Sequence, residues 1–195
     1  MSQKKTLLKY TKYVMWGTVA LIPPAAFFYL LEFYTHNPFA EVRPWAQLFN
    51  IVLFELLAGI FLCITERLRT AYRIEGTAAL VFGLANAYVV RFRTNPLVPW
   101  DILSWRTAVS VSGNYDFTPD TRMIVVTILF LALIIGLQPV KFKIGRPGFF
   151  KRCLPGVVLG AVLVMFAGTL QQENFQNEHR LYNKLFTPVF MTQVD

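Results

Sequence analysis

Five apolar blocks, at 13–34, 45–64, 74–90, 123–140 and 154–170, constrain this chain more than any single motif does. About 20 largely apolar residues cross a bilayer core as a helix, and the shorter blocks span with less tilt. Charged residues make up 15% of the chain, against about 25% in a soluble domain. The pattern predicts an all-α integral membrane protein, a bundle of five transmembrane helices with short interfacial helices beside it.

The first block follows Lys4, Lys5, Lys9 and Lys12, as a signal peptide would. Its apolar run is too long and too aromatic, ending AAFFYLLEFY, and it lacks a small-residue cleavage site, so an uncleaved first span is expected. The net charge is +8, and its placement describes topology rather than nucleic-acid binding. Arg67, Arg69 and Arg73 follow the second block, while Lys141, Lys143, Arg146, Lys151 and Arg152 separate the fourth from the fifth. With the first four lysines, these lie on one side if the helices alternate. The positive-inside rule then places the N-terminus inside and the C-terminus outside. Cys63 and Cys153 fall at inner helix ends, where thiols stay reduced.

Pro23 and Pro24 lie within the first span and predict a kink near 19–24. Ala79, Gly83 and Ala87 form a four-residue stripe in the third, with Asn86 beside it, and Gly156 and Gly160 make a GxxxG pair in the fifth. Small residues at that spacing let membrane helices approach closely. Residues 1–170 are read as the membrane domain, with a long outer loop at 91–122. Within that loop, 102–111 has the spacing of an interfacial helix. Residues 171–195 read as an exit helix leading to a further outer domain.

No catalytic constellation is present. His36 and His179 have no companions at metal-ligand spacing, and there is no nucleophile motif or phosphate-cradling loop. Asp101, Asp116 and Asp120 share the outer loop and read as turn and cap residues, metal binding being the alternative. Glu55 is the most costly residue, because a charge near the bilayer centre costs roughly 2.5–3.5 kcal/mol on insertion scales. It is either an ion or proton site, or a bonded glutamate facing Asn86 or another helix. Glu32 and Glu75 are expected near span ends, within reach of water or headgroups.

The stretch RFRTNPLVPWDILSW, Arg91 to Trp105, carries the remaining unusual residues. Arg91 and Arg93 are placed to snorkel toward outer-leaflet phosphates. Pro96 and Pro99 force an extended path, and Asp101 suits an N-cap. In the order Asn86, Arg91, Arg93, then NPLVPWD to Asp101, the chain resembles the membrane region of lipoteichoic acid synthases, which are sulfatase-type phosphoglycerol transferases. The resemblance implies a membrane anchor in the bacterial plasma membrane that orients an outer catalytic domain and contacts anionic lipid, phosphatidylglycerol above all. A manganese-type metal would belong to that domain, so no cofactor and no catalytic residue is expected in this chain. The alternative is a complete small multi-pass protein for transport or binding, with Glu55 as its ionisable centre.

Overall fold

Prolines and caps set where the helices begin. Pro38 and Pro44 occupy first-turn positions, where the missing N–H has no helical partner to lose. The side chains of Asn37 and Asp120 accept the N–H groups of Phe39 and Met123. The computed structural model describes residues 20–93, 95–97, 101, 113, 116–140, 142–143 and 148–170. These form α1 (Ala20–Glu32), α2 (Pro38–Glu41), α3 (Pro44–Thr65), α4 (Leu68–Arg93), α5 (Thr121–Gly136) and α6 (Phe149–Leu170). Among the described residues there is no strand, only an isolated bridge between Arg67 and Lys143. The first lysines, Pro99, the interfacial segment 102–111, His179 and the tail 171–195 lie outside the described residues.

Three helices depart from the limits of their apolar blocks; α6 starts at Phe149, five residues before residue 154. α4 starts six residues before residue 74, because the basic turn at Arg69 and Arg73 is helical although it is not apolar. α5 stops at Gly136, short of residue 140. Pro139 disfavours helical backbone at Gln138, which closes the element. α3 ends on Glu66 in the left-handed region, at φ 62°, giving a sharp turn into α4.

α1 is the centre of the packing. Phe27, Phe28, Leu31 and Tyr34 are buried with Phe54 of α3, Tyr72 and Ala79 of α4, and Met123, Val126 and Phe130 of α5. Phe27 and Tyr34 both stack on Phe130, at 6.1 and 6.0 Å. The small stripe of α4 makes room for them. A Cβ on Gly83 would stand 2.8 Å from the Tyr34 ring, and one on Gly76 2.6 Å from Phe27. α6 packs on α3 instead, with Gly156 close to Cys63 and Gly59 close to Leu159. Gly160 has open space around it, so only half of the GxxxG pair is used.

The exterior is apolar and the interior partly polar. Val81, Ile128, Leu154, Val157, Val164 and Met165 are exposed, whereas Asn50, Glu75 and Asn86 are buried. α3 and the Cys153–Leu170 part of α6 are long and apolar enough to cross a membrane.

The helix ends gather into two groups. At the basic end, the Leu68 amide donates to Phe142 and the Arg69 guanidinium to the Gln138 carbonyl. At the opposite end, Arg122 donates to the Phe33 and Thr35 carbonyls, at 2.7 and 3.3 Å, tying α5 to the turn after α1. Leu170, the last residue of α6, is buried there with Val42 and Ala46.

Candidate functional site

The segment after α4 is a strap fastened to the helix it leaves. α4 ends at Arg93, two residues before Asn95, whose backbone Pro96 keeps out of the helical region. The chain then folds back, and the Leu97 amide donates to Asn86 Oδ1 at 2.7 Å. Asn86 is 1% exposed, and the bond it makes with the half-buried Leu97 is part-buried.

Arg93 closes the strap from the other side. Its Nη1 and Nη2 donate to the two Asp101 carboxylate oxygens at 2.8 and 2.6 Å, and Nη2 also reaches the Pro96 carbonyl at 3.1 Å. Parallel bonds of this kind fix geometry as well as charge. The Asp101 hydrogen bonds, followed by its charge, hold the Arg93 guanidinium above its ordinary pKa. The cap expected of Asp101 concerns residues outside those described; its carboxylate is engaged by Arg93.

The far end of the 91–122 loop is tied to the same helix. Arg91 Nη1 donates to the Thr118 carbonyl at 2.6 Å, with Asp116 3.7 Å from Nη2. The Tyr88 hydroxyl donates to the Phe117 carbonyl at 2.9 Å, and Tyr88, Phe92 and Phe117 stack around one another. Asp116 accepts from the hydroxyl and the amide of Thr118. These bonds, the hydroxyl first, hold its carboxyl below the usual aspartate value, with Arg91 adding less. Asp116 thus closes a turn and Asp120 caps α5. Both arginines expected to reach for phosphates have partners within the chain, and each keeps part of its side chain exposed, 38% for Arg91 and 43% for Arg93.

A second polar zone lies inside the bundle. Glu75, expected near water, is 2% exposed, and neither of its carboxyl oxygens has a hydrogen-bond partner. Among the described residues no hydrogen bond joins Glu55 of α3 to Asn86, whose oxygen serves Leu97, and Glu55 Oε1 is buried without a partner. Glu32, also expected to reach water, is fully buried and pairs with His36 Nε2 at 3.0 Å. A four-residue step back from Ala79 lands on Glu75, so the small-residue stripe already carried that signal.

Comparison with known proteins yields no matching family model, no matching curated relative and no matching solved structure. Among the described residues no three histidine, cysteine or acidic side chains gather as a metal site.

Proposed function

We propose that this chain is the five-helix membrane anchor of a phosphoglycerol transferase of the lipoteichoic acid synthase kind, with its N-terminus inside and C-terminus outside the bacterial plasma membrane. The observation that carries the reading is the strap. Asn86, Arg91, Arg93, Pro96 and Asp101, which carry the resemblance, meet at one end of the bundle and fasten the outer loop to α4. Leu170, from which the tail departs, lies at the end where α3 begins. An outer face fastened in this way, with the end of α6 near the start of α3, suits an element that holds and orients a domain above the membrane. The basic residues Arg67, Arg69 and Lys143 gather at the other end, as an inner face requires.

The exposed parts of Arg91 and Arg93 leave room for an anionic headgroup, phosphatidylglycerol in this reading, as a surface contact. The chain by itself performs no chemistry; phosphoglycerol transfer from labelled lipid by the purified 195-residue chain would overturn that statement. The anchor reading is tested by immunoblotting native membranes with an antibody to residues 1–12. A product several-fold larger than 22.4 kDa is expected. A product at 22.4 kDa contradicts it and favours the second reading, a complete small membrane protein working through its buried carboxyls. The observation favouring that second reading is Glu75, buried at 2% exposure with neither carboxyl oxygen hydrogen-bonded.

A further inference from the structure

One face of α4 is exposed and hollow. Thr77, Ala78, Val81 and Ala85 recur on it at helical spacing and are exposed, whereas the exposed face of α6 carries bulkier side chains such as Leu154, Val157 and Met165. With Arg73 and Leu97 these residues line an apolar groove of about 850 Å³, within the ~300–1,000 Å³ usual for ligand sites. α4 packs along α3, which is long and apolar enough to cross a membrane, so the groove shares the depth of α3. From Arg73 to Ala85 the helix is about 18 Å long. One leaflet of the bilayer core is about 15 Å deep, half of ~30 Å. The groove therefore has the length and polarity to take a single acyl chain.

Its two ends differ in charge. Arg73 stands at the basic end of the bundle, where Arg67, Arg69 and Lys143 also lie. The other end is closed by Leu97, whose amide is pinned to Asn86. No ion pair among the described residues engages Arg73. Of the 11 acidic residues in the chain, Glu173, Glu178 and Asp195 are those outside the described residues. All three follow Leu170, which is buried at the opposite end of the bundle. An anion for Arg73 must then come from outside the chain, and a guanidinium at the mouth of an apolar groove suits a phosphate ester. We propose that the groove binds an anionic phospholipid, with one acyl chain along α4 toward Leu97 and the phosphate on Arg73. The inference needs the chain to lie in a membrane and is independent of the anchor reading. It is also separate from the headgroup contact at Arg91 and Arg93, which belongs to the other end of α4.

The test is photo-crosslinking of the full chain in phosphatidylcholine nanodiscs holding a trace of phosphatidylglycerol with a diazirine at the end of one acyl chain. Label mapped by mass spectrometry is expected to concentrate between Val81 and Leu97 and to fall when unlabelled phosphatidylglycerol is added. A phosphatidylcholine photolipid with the same chains is expected to label that region more weakly. Arg73→Gln is expected to lower the label about fivefold, the weight of one basic residue at an anionic surface, and Arg73→Lys to retain most of it. Ala78→Trp, at an exposed position, fills the groove and is expected to abolish the label. Equal labelling by the two photolipids overturns the proposal, as does label spread evenly over α3, α4 and α6. Label on α3 and α6 that spares the groove also overturns it, and is the result if another part of the chain or a second copy covers this face. No label on any helix overturns the proposal together with the membrane reading. If the variants do not accumulate, the comparison of the two photolipids on the wild type decides alone.

Discussion

Replacing Asn86 by leucine is expected to lower stability by about 1–3 kcal/mol, the cost of leaving a half-buried amide without its acceptor. Leucine keeps roughly the shape of asparagine but offers no acceptor, so the Leu97 amide loses the oxygen it now reaches at 2.7 Å. Arg93→Ala removes more hydrogen bonds, two to Asp101 and one to Pro96, yet is expected to cost less. The Arg93 side chain is 43% exposed, and exposed ion pairs contribute roughly 0.2–1 kcal/mol because water and salt screen them. The neutral bond therefore outweighs the charged fork. Denaturant unfolding of the purified protein gives both values, and hydrogen exchange at the Leu97 amide localises the first. If Arg93→Ala proves the more damaging substitution, the strap is held by its exterior and this ordering is wrong.

Gly76→Val is expected to be at least as severe. A Cβ at that position would stand 2.6 Å from two atoms of the Phe27 ring and 3.1 Å from Ile134, well inside the contact distance of about 3.5–4.0 Å. Phe27 has no room to withdraw, being fully buried and stacked on Phe130. Overpacking of this kind costs about 1–3 kcal/mol, and more where backbone must shift. Gly160→Val is the control. Nothing lies within 4 Å of its Cβ position, so a change within about 0.5 kcal/mol is expected. Equal losses at the two glycines would mean that α1 does not sit against α4 as described.

The helices were legible because apolar runs and prolines mark them locally. Their ends were less so, since the basic turn of α4 is helical without being apolar. The strap was half legible. Pro96 announces an extended path, but nothing local says that the chain folds back far enough for Leu97 to find Asn86. That closure also changed how Arg91 and Arg93 read. As isolated cations at a helix end they point to phosphate, whereas in the folded chain Asp101, Asp116 and Thr118 reach them first. Position along a span does not fix exposure, and Glu75 shows why. It lies near the end of its apolar block but on the inward face, where it is 2% exposed. Glu32 illustrates the same point, with His36 one turn later as its partner.

The central claim is a bundle whose strap faces outward and whose N-terminus faces inward. Site-directed cysteine labelling on intact bacteria tests it most directly. In a chain carrying Cys63→Ser and Cys153→Ser, single cysteines are introduced as Gly113→Cys in the outer loop and Ser2→Cys at the N-terminus. A membrane-impermeant maleimide is predicted to label the Gly113→Cys protein in intact cells, and the Ser2→Cys protein only after permeabilisation. Labelling of both in intact cells, or of Ser2→Cys alone, would contradict the account.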